Sequence, residues 1–127
     1  NAVEEVLRFE SSQISWRRLT TRDTTLAGHD LPAGTRILLN FAAANRQPDV
    51  FAEPDAFDIH RTIGHHLTFG FGVHFCLGAA LARLEGRVVL EEVLARFPEW
   101  TVDPEARLSE SSTVRGWETL PVVTRLG

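Results

Sequence analysis

The stretch from Thr68 to Glu85, Thr-Phe-Gly-Phe-Gly-Val-His-Phe-Cys-Leu-Gly-Ala-Ala-Leu-Ala-Arg-Leu-Glu, constrains this chain more than any other. It opens with Gly70 and Gly72 set among Phe69, Phe71 and Phe75, and it carries Cys76, the one cysteine of the 127 residues. From Leu77 the pattern turns helical: Leu77, Leu81, Leu84 and Val88 recur at steps of three and four and share a face. Cys76 is therefore expected where a glycine and aromatic loop becomes a helix. The free amides and positive dipole end of a helix favour an anion beside them. A sulfur held there is biased toward thiolate, the form that binds metal. The glycines allow backbone conformations barred to other residues and let a flat ligand approach closely. The phenylalanines offer such a ligand apolar faces.

The order Phe69, Gly72, His74, Cys76, Gly78 resembles the haem-binding loop of cytochrome P450, F-x-x-G-x-[R/H]-x-C-x-G. Five specified positions followed by a helix are far more specific than a lone cysteine, whose plain alternative is a small buried hydrophobe. The resemblance implies an α+β arrangement, the C-terminal part of the mainly-α P450 fold. Its parts are a K helix, a small β-sheet, a meander, the Cys loop, a long L helix and a C-terminal β-hairpin. The resemblance runs over residues 1–127, whereas P450 chains are several times longer. The expectation is a partial domain, the C-terminal fragment of a P450 without its N-terminal bulk.

Composition sets outer limits. Hydrophobic residues at 43% and charged residues at 24% are usual for a soluble globular protein. The net charge of -4, with no basic run, gives no reason to expect nucleic acid. No apolar stretch approaches a membrane span. One cysteine cannot close an internal disulfide, which fits a reducing compartment, and a cytoplasmic protein is expected.

Along the chain, residues 2–10 read as a helix, with Val3, Val6 and Leu7 on one face and Glu5 and Arg8 three apart on another. Taken alone, that pair is a surface ion pair of little weight. Residues 12–41 read as short strands: Thr20, Thr21, Thr24 and Thr25 favour extended backbone, and Ile37 to Leu39 suits a buried strand. Ala27 to Asp30 and Pro32 to Gly34 read as turns. A short helix is expected over Ala42 to Asn45, then irregular chain marked by Pro48 and Pro54. The long helix runs from Leu77 to Phe97, where Pro98 stops it. Its Arg83, Arg87, Glu91 and Glu92 form a solvated or salt-bridged face, and Gly86 suggests close packing. Trp100 to Val102 reads as extended, 103–112 as loop, and Val114 to Leu126 as a hairpin or edge strands.

The resemblance assigns roles residue by residue. Glu5 and Arg8 match the E-x-x-R pair of the K helix, a buried structural ion pair. Phe57 to Arg61 match the F-D-x-x-R end of the meander, but Ala56 stands where many P450s have an arginine that completes the triad. Either Arg61 or His60 supplies that contact or the third member is absent. Cys76 is the implied axial ligand of haem iron, with Phe69, Gly70 and Gly78 around the cofactor, haem b (iron protoporphyrin IX). Arg18, in preference to Arg17, and His74 are the implied partners of the haem propionates; an arginine fork suits a carboxylate. Ile14, Ser15, Val114 and Arg115 correspond to substrate-contact positions. A zinc site built from His65, His66, His74 and Cys76 fits no standard ligand spacing.

The implied activity is that of a bacterial-type haem-thiolate monooxygenase, which inserts one oxygen atom from O2 into a small organic substrate. Electrons would come from a ferredoxin or flavoprotein. The family's oxygen-activating acid and alcohol belong to a helix outside these residues, so no catalytic residue is assigned. The rival readings are a haem-thiolate binding or sensing module, and a remnant that binds nothing.

Overall fold

The computed structural model describes residues 1–125. Helix α1 (Ala2–Phe9) is followed by strands β1 (Ser15–Leu19), β2 (Thr24–Leu26), β3 (His29–Leu31) and β4 (Arg36–Asn40). β1 and β4 pair antiparallel, with Trp16 opposite Leu39 and Arg18 opposite Ile37. Between them β2 and β3 form a hairpin whose turn is Ala27-Gly28, both at positive φ (50° and 81°). The turn is thus tighter than the sequence suggests, and His29 and Asp30 already belong to β3. Helix α2 (Phe41–Ala44) follows β4 directly, its first turn capped by the Asn40 side chain, which accepts from the Ala43 amide at 3.0 Å. Residues 46–78 are irregular, with one short 3-10 turn at Gly72–His74.

Helix α3 spans Ala79–Arg96, two residues shorter at its start than the periodicity predicts. The Cys76 carbonyl accepts from the Ala79 amide at 3.2 Å, and the first four-residue bond runs from Ala82 to Gly78 at 2.9 Å. Leu77 therefore lies outside the helix and is fully exposed rather than joining Leu81 and Leu84 on a face. Gly86 sits where α3 meets α1: a Cβ there would lie 3.2 Å from Val3 Cγ1. Close packing explains the glycine in mid-helix, against its propensity cost of about 1 kcal/mol.

The C-terminal strands are nested. β6 (Arg107–Leu108) pairs with β7 (Trp117–Thr119), and β5 (Glu99–Val102) pairs around them with β8 (Val122–Arg125). β7 and β8 each find partners in earlier strands, and residues 103–112 are not all loop, since two of them make β6. A two-residue strand offers too little alternation to be read from sequence. The expectation for Val114 to Leu126 extends to Leu126, which lies outside the described residues.

What is buried among the described residues is mostly polar. Glu5, Arg8, Ser11, Ser15, Asn45 and Thr68 are buried, against Phe51 and Ala79 among apolar side chains. Arg8 uses all five of its donors: Nε and Nη2 each meet a Glu5 oxygen at 2.7 Å, and the rest go to the carbonyls of Asn45 (3.0 Å), Pro54 (2.8 Å) and Ala56 (3.1 Å). Glu5 Oε1 also accepts from the Asp58 amide at 2.9 Å and from Arg61 Nε at 3.3 Å. Arg61, rather than His60 or residue 56, thus completes the cluster, and its other donors go to the carbonyls of Ala52, Glu53 and Ala56. Hydrogen bonding to Arg8 is the main cause that lowers the Glu5 carboxyl from its ordinary 4.5 to about 2.

Replacing Glu5 with Ala should leave the Arg8 guanidinium buried without its partner and cost about 3–5 kcal/mol, read by denaturant unfolding. Because the folded pKa is depressed, the stabilisation from Glu5 is fully present above 4.5 and is lost as pH falls through about 2. Acid titration of Glu5→Gln should lack that component of the stability loss.

Candidate functional site

A single open cleft of about 680 Å³ brings three distant segments together. This is ample for a small-molecule or cofactor site, which usually measures about 300–1,000 Å³. One wall comes from β1 and the segment before it (Ser12, Gln13, Trp16, Arg18), one from the end of β4 and α2 (Leu39, Asn40, Phe41, Ala44), and one from the loop (Leu67 to Phe71, His74, Cys76). Alternation along β1 decides which arginine takes part. Trp16 and Arg18 are two apart and face the cleft; Arg17 points to the other side and is not among its lining residues. The walls are apolar at Leu39, Phe41, Ala44, Leu67, Phe69 and Phe71, with cationic or titratable groups at Arg18 and His74 and a thiol at Cys76.

The loop is shaped by three backbone bonds, one of which ties the cysteine to Phe69. Its carbonyl accepts from the Cys76 amide at 2.8 Å, while Gly70 N–H reaches Leu67 O at 2.9 Å and Phe75 N–H reaches Gly72 O at 3.0 Å. Gly70 has φ 74°, and a Cβ there would lie 3.2 Å from the His74 carbonyl. Gly78 caps α3, and a Cβ on it would lie 3.9 Å from the Cys76 sulfur. The cysteine is exposed.

Behind the loop lies a polar brace with no counterpart in the sequence reading. Asn45 is 1% exposed; its Oδ1 accepts from the Leu67 amide at 2.6 Å and its Nδ2 donates to Thr68 Oγ1 at 2.9 Å. Thr68 Oγ1 in turn donates to the Leu7 carbonyl at 2.6 Å and lies 3.0 Å from Ser11 Oγ. The start of the cleft loop is thus tied to both α1 and α2. On the other side Glu4 receives Arg83 Nε at 2.6 Å and lies 3.1 Å from His66 Nε2. Arg83, read from sequence as part of a solvated or salt-bridged face, is the salt-bridged kind and reaches across to α1. Hydrogen bonding to Arg83 is the leading cause that lowers the Glu4 carboxyl. Burial leads in lowering His66.

Other sequence candidates fall elsewhere. Ile14 is half-buried and Ser15 buried, and neither lines the cleft; their neighbours Ser12 and Gln13 do. Ile14 N–H donates to Thr113 O at 2.9 Å and Arg115 N–H to Ser12 O at 2.6 Å, so Val114 and Arg115 flank this segment. The Arg115 side chain pairs with Glu10 at 2.7 Å. Gly78 also lies outside the lining set. Among the described residues no three His, Cys, Asp or Glu side chains gather as a metal group; of the zinc alternative's four residues only His74 and Cys76 share the cleft. No helix there is long and apolar enough to cross a membrane.

Comparison with known proteins gives a consistent answer. The family model for cytochrome P450 matches residues 1–116. The vitamin D(3) 25-hydroxylase of Pseudonocardia autotrophica is 46% identical over 127 residues, covering 96% of this chain and 31% of that protein. The steroid C26-monooxygenase of Mycolicibacterium smegmatis is 44% identical over 124 residues, with 96% and 31% covered. The crystal structure of substrate-free CYP109E1 from Bacillus megaterium superposes with a TM-score of 0.93 at 37% identity, covering 99% of this chain and 33% of that one. The chain spans 28% to 31% of the length of the curated relatives it matches.

Gly70→Ala should cost about 1–2 kcal/mol for the left-handed backbone alone, with added crowding at the His74 carbonyl. Gly64, where a Cβ meets nothing within 4 Å, is the control. Gly64→Ala should be neutral or slightly stabilising. Thermal unfolding of the two variants checks the contrast.

Proposed function

The chain belongs to the cytochrome P450 family, and from that premise we propose that it supplies the cysteine-bearing part of a haem-thiolate monooxygenase. The observation that carries the reading is the convergence of Cys76, His74, Arg18 and Phe69 on one cleft from segments some 50 residues apart. The donor set fits haem b. An apolar wall suits a flat macrocycle, two basic side chains suit its paired carboxylates, and the thiol suits its iron. A haem held there by a thiolate would supply O2 activation and oxygen insertion into a substrate C–H bond.

The chain's own residues have separate tasks. Cys76 would bind the iron as thiolate; its amide donates to the Phe69 carbonyl, which fixes the backbone that carries the sulfur. Arg18 and His74 would hold the propionates, Arg18 from β1, with a guanidinium suited to a carboxylate, and His74 from the 3-10 turn. Phe69 and Phe71 line the cleft and would offer the ligand apolar faces. Gly70 and Gly78 lie on either side of the cysteine in the loop and give the macrocycle and sulfur room. Ile14, Ser15, Val114 and Arg115 contribute to the substrate side through the paired segments 12–14 and 113–115. The substrate is a small organic molecule, O2 is the second substrate, and a ferredoxin or flavoprotein delivers electrons in the cytoplasm.

These residues form one partial domain that works with the rest of a longer protein. Leu81 (58% exposed), Leu84 (48%) and Leu94 (54%) leave α3 with an uncovered apolar surface. Each large side chain left uncovered forgoes roughly 1.5–3 kcal/mol, against a usual net stability of about 5–15 kcal/mol. The 127 residues on their own should be loosely folded or aggregation-prone and should bind haem weakly. A monomer that unfolds cooperatively and oxidises substrate would count against this.

In the complete protein, the reduced carbon monoxide complex should show the red-shifted Soret band of a thiolate haem, and Cys76→Ala should abolish it. Survival of the band in that variant would refute the ligand assignment. Arg18→Ala and His74→Ala should each speed haem loss while the remaining spectrum keeps its thiolate character.

A further inference from the structure

We propose that Glu4 is a positioning residue for the cysteine loop: its carboxylate holds Arg83 and His66 against Phe69, whose carbonyl anchors the Cys76 amide, and protonation of His66 loosens that hold. The proposal rests on the reading of Cys76 as the haem ligand.

Three separate elements meet at this carboxylate. Glu4 lies on α1, Arg83 on α3 and His66 on the approach to the loop. Arg83 presents a fork, with Nε 2.6 Å from Oε1 and Nη2 3.2 Å from Oε2 of Glu4. The Arg83 guanidinium carbon stands 4.7 Å from the centre of the Phe69 ring, a cation–π contact. The His66 ring lies 5.9 Å from the same ring, and Phe75 packs edge-on at 6.4 Å. A ring held by these groups cannot move without them, and the carbonyl of the same residue receives the Cys76 amide at 2.8 Å.

His66 has a defined protonation state here. Its Nδ1 accepts from the Thr68 amide at 3.3 Å, so Nδ1 carries no hydrogen and Nε2–H donates to Glu4 at 3.1 Å. A second proton must go on Nδ1, where it faces another N–H. The charged groups acting on the ring are Glu4 and Arg8 from α1 and Arg83 from α3. Glu4 favours the imidazolium; burial and the two arginines oppose it, and the balance lowers His66 below its ordinary 6.5. Near neutral pH the ring is thus uncharged and both of its bonds are made. As pH falls below 6.5 and through the depressed value, the Thr68 bond is lost.

The test uses the complete, haem-loaded protein. The thiolate share of the Soret absorbance in the reduced carbon monoxide complex is followed from neutral to mildly acidic pH, together with haem dissociation. Wild type is expected to lose thiolate character in a reversible proton step below the ordinary histidine range. His66→Gln keeps a donor and an acceptor but does not titrate, and should lack the step. Glu4→Gln should speed haem dissociation about tenfold, the size typical of removing a partner behind a metal ligand. Arg83→Lys keeps the charge without the fork; it should behave like Glu4→Gln and stands in if that variant does not fold. Arg17→Ala, on the face of β1 turned from the cleft, should match wild type. An acid step that persists in His66→Gln overturns the proposal. So does a Glu4→Gln protein that unfolds earlier but keeps wild-type haem dissociation and spectrum. A red-shifted band that survives Cys76→Ala sinks the ligand reading instead, which keeps the two failures apart.

Discussion

The Arg8 guanidinium is the point on which the rest of this structure depends. A buried cation is expensive unless every donor finds an acceptor. Here two donors meet Glu5, and three meet carbonyls of the irregular segment after α2. That segment has no helix or strand of its own after Ala44 to hold it. Its shape is dictated instead by what one side chain on α1 requires. Arg61 reinforces the arrangement from within the segment, giving its remaining donors to three of the same segment's carbonyls. The positioned meander then delivers the chain to Leu67, where Asn45 takes over and fixes the entry to the cysteine loop.

The cleft is thus held by polar contacts at its back and left apolar at its face. Burying polar groups brings little net stability, since each bond replaces one to water. It brings directionality: Asn45 fits Leu67, Thr68 and Ser11 in one arrangement only. An apolar core could fill the same space in several ways. The large apolar side chains that remain, on α3 and in the C-terminal strands, are mostly exposed.

What could be read from the residues alone follows the range of the interactions. Local signals served well: α1, most of α3, the strand at Ile37 to Leu39 and the glycine turns follow from periodicity and turn chemistry, although that strand is not buried, since Leu38 is exposed. The cysteine motif pointed to the family because its positions are close in sequence. Long-range pairings were not visible. The Glu5 and Arg8 spacing is plain, but spacing alone reads as a surface pair; its burial depends on Ala56 and Arg61, 48 and 56 residues away. Arg83 reads from sequence only as one of a solvated or salt-bridged face, and nothing there names Glu4, 79 residues away, as its partner. Asn45, Ser11 and Thr68 carry no pattern that marks them as buried, since small polar residues are usually exposed. The start of α3 was misplaced because Leu77 happens to continue the helical spacing while lying in the turn before it. Strand pairing in the C-terminal region escaped for the same reason as β6: two or three residues do not establish a register.

The bridge between Gln13 and Val114 has a consequence in time rather than in space. Gln13 Nε2 also donates to Thr113 O, across 100 residues of chain. Closing a loop of that length costs about 4 kcal/mol of chain entropy before any contact rewards it. Chains that depend on such distant pairings fold slowly, and synthesis delivers the N-terminal end first. The β1–β4 pair joins segments close in the chain, whereas the segment 12–14 waits for 113–115. The cleft wall at Ser12 and Gln13 is accordingly among the last parts to set, and for most of its assembly the site stands open on that side.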